Sequence, residues 1–232
     1  MENQKENKMN RKTTHIFLAG GGDEKDSKLL DEQFVKKLNL AKPLVYIPNA
    51  IRSKPYQSCL KWFRSSMTPL GVVTIEMWED LNPRHKVNNI AGVYIGGGNT
   101  IKLLKEIRES GFENYLREAA QRGIPLYGGS AGAIILGEDI RTTTEAKNLT
   151  SSEAVGLKII KGFSIACHYK TSDEKIVQKL SKTLNRDIIA IPEKSGGYIE
   201  KQTLTNYGTE PLTIVLENQV NLVNPNHSIK LM

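Results

Sequence analysis

The chain has 232 residues, of which 39% are hydrophobic and 25% are charged, and its formal net charge is +7. This length and composition suit one folded domain with a full core, and no run of about 18 apolar residues is present that would predict a membrane-spanning helix. The basic residues are dispersed among acidic ones rather than gathered in a stripe with aromatic residues, so we expect no nucleic-acid partner despite the positive charge.

The first predicted element is a flexible polar tail over residues 1–14, which is followed by a single domain over residues 15–232. The tail lacks the apolar stretch of a signal peptide. Two cysteines, Cys59 and Cys167, are too few for a disulfide framework. Both observations favour a cytoplasmic protein.

Strands and helices are predicted to alternate along the rest of the chain. Short apolar stretches predict strands over residues 15–19, 43–48, 72–77, 91–95, 123–127, 163–167, 188–191 and 212–216. Apolar residues at helical spacing predict helices over residues 28–38, 56–67 and 172–184, one or two helices between 99 and 122 with a break near Gly111, and a helix from Ala131. This alternation predicts an α/β fold, a three-layer and mostly parallel sheet with helices on both faces.

The most informative segment is residues 128–133, Gly-Gly-Ser-Ala-Gly-Ala, where a predicted strand passes into a predicted helix. A serine between small residues on such a turn is the sequence form of a nucleophile elbow, which lifts the Ser130 hydroxyl clear of the sheet. The turn also leaves the backbone N–H of Ala131 free at a helix start, where developing negative charge is favoured. A turn of small residues without chemistry is the alternative interpretation.

Two runs of three glycines, residues 20–22 and 96–98, follow other predicted strands. Sites in such sheets lie at the carboxyl ends of the strands. The first run lacks the glycine spacing of a dinucleotide site and is followed by acidic residues that would repel phosphate, so we interpret it as a tight turn. The second run opens a helix that Asn99 and Thr100 can cap, and we expect it to supply a second N–H group for a developing oxyanion.

A nucleophilic serine needs a base, and the chain has four histidines. His168 alone follows an apolar strand, so we expect Ser130 and His168 to lie at one edge of the same sheet. The imidazole also needs a carboxylate on its far nitrogen, and the residues themselves leave several candidates open: Glu138, Asp139, Glu145 and Glu193.

Four motifs follow one another along the chain: residues 94–100 (Tyr-Ile-Gly-Gly-Gly-Asn-Thr), residues 129–133 around Ser130, residues 140–143 (Ile-Arg-Thr-Thr) and His168. Their order and spacing resemble those of the peptidase E (aspartyl dipeptidase) family of serine peptidases, family S51. The resemblance extends from about residue 16 to about residue 216. It implies a class I glutamine amidotransferase-like, flavodoxin-like fold.

The resemblance also implies roles for particular residues. Ser130 is expected to be the nucleophile and His168 its base, and the N–H groups of Gly98 and Ala131 are expected to form the oxyanion hole. In the family the third triad member is an aspartate shortly after the Arg-Thr-Thr run, and Glu145 at the matching position is expected to orient the imidazole of His168. Related cyanophycinase-like members suggest Glu193 as the alternative acid.

Substrate contacts are expected from Asn99, Arg141 and Lys170. Family members carry an arginine-bearing segment after the histidine that holds an acidic substrate side chain, but this chain has no arginine between Arg141 and Arg186. We therefore expect little preference for aspartate. No metal or cofactor is expected, because the histidines and cysteines show no ligand spacing.

The sequence thus predicts a cytoplasmic serine peptidase, monomeric or homodimeric, that hydrolyses short peptides in the manner of a dipeptidase or an aminopeptidase. The alternative is a small-molecule binding or sensing protein that keeps the fold without the chemistry. Amidotransferase chemistry is disfavoured because it requires a cysteine where the chain has Ser130.

Overall fold

The computed structural model describes residues 13–231, so the tail predicted over residues 1–14 lies almost wholly outside the described residues. The strands of the described part are His15–Ala19 (β1), Leu44–Ile47 (β2), Ile75–Met77 (β3), Gly92–Ile95 (β4), Leu126–Gly129 (β5), Phe163–Ala166 (β6), Asp187–Ala190 (β7), Gly196–Glu200 (β8), Thr203–Asn206 (β9), Leu212–Leu216 (β10), Gln219–Val223 (β11) and Ser228–Lys230 (β12). The α-helices are Lys28–Lys36 (α1), Tyr56–Met67 (α2), Thr100–Glu109 (α3), Phe112–Gln121 (α4), Ala131–Leu136 (α5) and Glu174–Leu184 (α6).

The large sheet has eight strands in the order β12-β9-β8-β1-β5-β4-β2-β3. The five strands from β1 to β3 in that order are parallel, as the alternation of strands and helices predicts. The strands β8, β9 and β12 extend the sheet in antiparallel fashion beyond β1. The predicted α/β fold with a mostly parallel central sheet flanked by helices is therefore confirmed.

A second sheet of four strands, in the order β11-β10-β7-β6, carries His168 at its edge. The expectation that Ser130 and His168 lie at one edge of the same sheet is therefore wrong, because Ser130 follows β5 of the large sheet and His168 follows β6 of the small one. The reason is that β8 pairs along the free side of β1 and leaves no place for β6 there. Within the small sheet, β6 and β7 are parallel, so their carboxyl ends lie side by side.

The core forms on both faces of the large sheet. One face packs against α1 and α2, and the other packs against α3, α4 and α5. One face of the small sheet packs in the same part of the core as α3, α4 and α5, and α6 packs against its other face. The small sheet thus lies close to the helix that follows Ser130, which brings its strand ends near the elbow.

A row of aromatic side chains crosses the large sheet under α1 and α2. The row follows the register of the strands, from Tyr46 through Tyr94, Tyr127 and Phe17 to Tyr198. The rings of Tyr94 and Tyr127 stack with centroids 4.2 Å apart. Burial of large rings in offset stacks contributes strongly to a core, so this row stabilises the sheet from which the elbow projects.

One carboxylate, Asp31 of α1, is buried in this aromatic layer, and its side chain is 4% exposed. One carboxylate oxygen accepts a hydrogen bond from the Ser27 hydroxyl at 2.9 Å. The other oxygen and the Tyr127 hydroxyl are buried without a hydrogen-bond partner among residues 13–231. Burial raises the pKa of Asp31 to about 6, because the charged form loses its hydration.

Asp31→Asn is therefore expected to stabilise the protein at pH 8 by about 2–3 kcal/mol. The raised pKa means that folding favours the protonated acid, so the penalty is absent below about pH 4, grows as the pH rises to about 6, and is complete above that value. Urea unfolding of the wild type and the variant between pH 4 and pH 8, followed by tryptophan fluorescence, measures the difference. An equal difference at both ends of that range would contradict the assignment.

Candidate active site

The turn between β5 and α5 has the geometry of a nucleophile elbow. Ser130 has φ 47° and ψ −107°, a combination that residues with a side chain rarely adopt. Such strain persists only where the surrounding structure enforces it, and it is concentrated at functional sites. Here the Ser130 N–H donates a 3.1 Å hydrogen bond to the Ala19 carbonyl, which ties the elbow to β1.

Small residues around Ser130 are required because backbone segments approach closely. A Cβ atom on Gly128 would lie 2.5 Å from the Ala133 nitrogen, and one on Gly132 would lie 2.3 Å from the Ile95 carbonyl oxygen. Side chains at these positions would push α5 away from β4 and β5. The glycines of the sequence motif therefore let the helix start immediately behind Ser130.

Two hydrogen bonds in series connect the Ser130 hydroxyl to His168 and His168 to Glu193. Oγ of Ser130 lies 2.8 Å from Nε2 of His168, and Nδ1 of the same imidazole lies 2.8 Å from Oε1 of Glu193. With a proton on Nδ1, the ring donates to the carboxylate and accepts from the hydroxyl. A hydroxyl on an imidazole that is held by a carboxylate is the arrangement that activates serine for attack on an acyl carbon.

Glu193 reaches His168 because of the pairing within the small sheet. The His168 residue follows β6 with φ 56°, and Glu193 follows the neighbouring parallel strand β7. The Tyr169 N–H donates to the Ile191 carbonyl at 3.2 Å, so the two chain segments stay paired beyond the strands. The two side chains are thereby presented at the same corner of the sheet.

The expectation that Glu145 orients the imidazole is corrected by this geometry. The Glu145 carboxylate accepts hydrogen bonds from the backbone N–H of Thr100 and from the side-chain amide of Asn99, at the start of α3. It is therefore engaged at the start of α3, and Glu193 rather than Glu145 forms the hydrogen bond with His168. Glu145 lies next to the Arg-Thr-Thr motif in the sequence, but this position does not bring its side chain to His168.

The first glycine run, interpreted from sequence as a plain turn, packs directly against the histidine. The His168 N–H donates to the Gly20 carbonyl at 2.8 Å. Gly21 has φ 107°, and a Cβ atom there would lie 2.4 Å from Cε1 and 2.6 Å from Nε2 of the imidazole. The glycine run was visible in the sequence, but its contact with a ring that follows β6 was not.

Gly21→Ala is expected to reduce kcat by about a hundredfold or more, because the methyl group must displace the imidazole from the serine and such misplacement is costly. Gly162→Ala is the matched control: Gly162 also has a positive φ, 84°, but nothing lies within 4 Å of the added methyl group. Steady-state kinetics of both variants, with thermal unfolding to confirm folding, check this prediction. Equal losses in the two variants would show that backbone strain rather than contact with His168 is responsible.

The second glycine run lies on the other side of Ser130. Two hydrogen bonds hold its backbone. The Gly96 N–H donates to the Ile47 carbonyl at the end of β2, at 2.9 Å, and the Asn99 N–H donates to the Ala50 carbonyl in the segment after β2, at 2.8 Å. A Cβ atom on Gly97 would lie 3.3 Å from the Cβ atom of Ser130, so the loop touches the elbow.

The glycine at position 98 is required by the backbone itself. Gly98 has φ 140°, and a Cβ atom there would lie 2.4 Å from the Ala50 carbonyl oxygen. Its N–H donates to no acceptor among residues 13–231. The Ala131 N–H is likewise free of an intrahelical acceptor, because it belongs to the first turn of α5. The Gly98 amide belongs to the loop that touches the elbow, and the Ala131 amide directly follows Ser130, so both unpaired amides are suited to stabilise negative charge on an acyl oxygen.

The three expected substrate contacts differ in availability. Arg141 forms a forked ion pair with the buried Asp139, with its Nε 3.0 Å and its Nη2 2.6 Å from the two carboxylate oxygens, so its guanidinium is already engaged. The Asn99 side chain caps α3 through the Lys102 N–H at 2.8 Å. Lys170 is exposed and stands two residues after His168.

Cys167 lies immediately before the histidine, and its Sγ is 3.6 Å from the carbonyl oxygens of Ala19 and Ser130. Burial raises the pKa of this thiol to about 12. Since the thiolate is the reactive form of cysteine, Cys167 is not poised as a nucleophile. Among residues 13–231, no three His, Cys, Asp or Glu side chains form a group that could hold a metal, and no helix is long and apolar enough to cross a membrane.

The chain is similar to known peptidases in sequence and in fold. The model of Peptidase family S51 matches residues 16–207. Peptidase E from Shewanella sp. (strain ANA-3) is 27% identical over 203 residues, which cover 83% of this chain and 86% of that protein. Peptidase E from Shewanella amazonensis is 29% identical over 178 residues, which cover 72% of this chain and 75% of that protein.

A crystal structure of a peptidase from an acI-B1 actinobacterium superposes with a TM-score of 0.77 at 18% identity, over 95% of this chain and 98% of that one. The likeness shows the fold, which is of the class I glutamine amidotransferase-like type. Because the family model extends from β1 to the residue after β9, the chain belongs to peptidase family S51 and is a serine peptidase.

Proposed function

We propose that the protein hydrolyses short peptides, as a dipeptidase or an aminopeptidase, through Ser130, His168 and Glu193. The observation that carries this proposal is the pair of 2.8 Å hydrogen bonds that joins the three side chains. The restriction to short peptides rests on the likeness to peptidase E. Two free thiols, Cys59 and Cys167, fit the reducing cytoplasm, where we place the enzyme as a monomer or a homodimer.

In the first half of the reaction, Oγ of Ser130 attacks the scissile carbonyl carbon while Nε2 of His168 takes the hydroxyl proton. The carboxylate of Glu193 holds the ring by accepting its Nδ1–H and stabilises the imidazolium. The carbonyl oxygen becomes an oxyanion on the N–H groups of Gly98 and Ala131.

The tetrahedral intermediate collapses when His168 returns the proton to the leaving amine, the peptide C–N bond breaks, and an ester on Ser130 remains. Water then attacks the ester carbonyl while the imidazole takes one of its protons. Collapse of the second intermediate returns that proton to Oγ and releases the carboxylic acid. The cycle consumes the peptide and one water molecule, and it regenerates Ser130 and His168.

Labelling with a fluorophosphonate probe, followed by peptide mapping, tests the proposal. We expect Ser130 to be the single modified residue and the wild type to hydrolyse unblocked dipeptides. A small-molecule binding or sensing protein on the same fold would neither be labelled nor hydrolyse them, and that result would overturn the proposal.

Substrate choice is tested by comparing Asp-Leu, Ala-Leu and Leu-Leu at equal concentration. We expect Asp-Leu to be preferred by less than about tenfold, or roughly 1.4 kcal/mol, because the Arg141 guanidinium is held by Asp139 and is not free to bind a substrate carboxylate. A larger preference would contradict this expectation. It would direct attention to the basic cavity of about 420 Å³ that Arg52, Lys54 and Lys102 line beyond the Gly98 loop.

A further inference from the structure

The start of α3 is held from outside the helix by Glu145. Its carboxylate accepts from the Thr100 N–H and from the side-chain amide of Asn99, whose own oxygen caps the Lys102 N–H. Two acceptors therefore satisfy N–H groups in the first turn of α3: the side chain of Asn99, which precedes the helix, and the carboxylate of Glu145 from a distant segment. A negative charge at a helix start is also favoured by the helix dipole.

This end of the helix is also the end of the glycine loop that carries the Gly98 amide. Glycines have no side chains with which to anchor themselves, and their backbone is free to adopt many conformations. Backbone hydrogen bonds hold the loop, from the Gly96 N–H to the Ile47 carbonyl at the end of β2 and from the Asn99 N–H to the Ala50 carbonyl. The carboxylate of Glu145 adds a side-chain contact at the junction of loop and helix.

The segment that presents Glu145 is itself rigidly fixed. Ala146, the next residue, is fully buried, and Ile140 is buried in the same cluster as the apolar face of α3. The Asp139–Arg141 ion pair braces the start of the segment. The Thr142 hydroxyl donates to the Ile165 carbonyl of β6 at 2.5 Å. The segment thus connects the strand before His168 to the loop that carries Gly98.

We propose that Glu145 is a positioning residue for the oxyanion loop: its carboxylate fixes the Gly98 amide in relation to Ser130. The proposal rests on the function proposed above, because it assigns Gly98 to the stabilisation of the oxyanion. Among residues 13–231, Glu145 forms no hydrogen bond with Ser130, His168 or Glu193. It acts through Thr100 and Asn99, which contact it directly.

Because the developing oxyanion exists only along the reaction path, loosening its donor lowers kcat and leaves KM nearly unchanged. A displacement of about 1 Å at a reacting group reduces the rate by up to about a hundredfold. For Glu145→Ala we therefore expect a 10- to 100-fold lower kcat and a KM within about threefold of the wild type. Glu145→Gln keeps one acceptor oxygen, so its kcat is expected to lie between those of the wild type and Glu145→Ala.

The matched control is Glu153→Gln. Glu153 lies in the same irregular segment, and its carboxylate also caps a turn by accepting from the Thr150 N–H at 2.9 Å, but within the described part of the chain it forms no hydrogen bond with α3. The control variant is expected to keep the kcat of the wild type. Thermal unfolding of all variants verifies folding, and the glutamine variant keeps the test available if the alanine variant does not fold.

The pH profile separates positioning of the loop from orientation of the histidine. The kcat/KM profile of the Glu145 variants is expected to keep its shape, whereas Glu193→Gln is expected to displace the acid limb by removing the negative charge beside the imidazole.

A Glu145→Ala enzyme with wild-type kcat, or one whose acid limb moves as in Glu193→Gln, would overturn the positioning role. An inactive wild type would instead overturn the proposed function itself.

Discussion

Ser130→Ala and His168→Ala are each expected to reduce kcat for dipeptide hydrolysis by a factor on the order of 10⁴–10⁶, with the fold retained. The serine is a weak nucleophile without the base, and the base has no proton to take without the serine. The two side chains, 2.8 Å apart, act in one step. The double variant is therefore expected to be scarcely slower than either single variant.

Single-turnover and steady-state kinetics of the three variants measure this coupling. His227→Ala serves as the control, since His227 lies outside the site and its side chain forms a hydrogen bond only with the Pro225 carbonyl among the described residues. Losses that multiply in the double variant would show that Ser130 and His168 act in separate steps. Urea unfolding establishes whether any loss arises from the strained Ser130 backbone rather than from chemistry.

Glu193→Gln is expected to reduce kcat by about 10³–10⁴-fold. Glutamine has the size of glutamate but presents an amide, which favours the wrong tautomer of the imidazole and removes the charge that stabilises its protonated form. In the wild type, Oε1 of Glu193 lies 2.8 Å from Nδ1 of His168, which is the geometry of a carboxylate that orients an imidazole. Among the variants of acidic residues considered, we expect this one to have the largest effect.

The comparison variant is Glu145→Gln, for which a smaller loss and an unchanged pH profile are expected. If Glu145→Gln were the more damaging of the two, Glu193 would not be the orienting acid. If Glu193→Gln retained activity within about tenfold of the wild type, the site would work as a Ser-His pair without a third member. Both variants are measured with the same dipeptide and checked by thermal unfolding.

Much of this architecture follows from patterns that are local in the sequence. The apolar strands β1, β2, β4 and β5 alternate with amphipathic helices, and that pattern alone predicts a parallel sheet. The elbow is equally local, because glycines at positions 128 and 132 are needed where the helix passes close to the strands. The strands β8, β9, β11 and β12 were not predicted, because glycine or polar residues interrupt their apolar residues, as in Gly-Gly-Tyr-Ile-Glu of β8.

The sequence by itself thus determined the parallel sheet and the elbow at Ser130, whereas the contact of the first glycine run with His168 appeared only in the structure. Only the tertiary structure decided that β8 occupies the free side of β1, that β6 and β7 form a separate sheet, and that Glu193 rather than Glu145 meets His168. The physical reason is that a strand, a turn or a cap depends on neighbours along the chain. Which carboxylate reaches an imidazole depends on strand pairing between segments distant in sequence, and that pairing is selected by packing of the whole core.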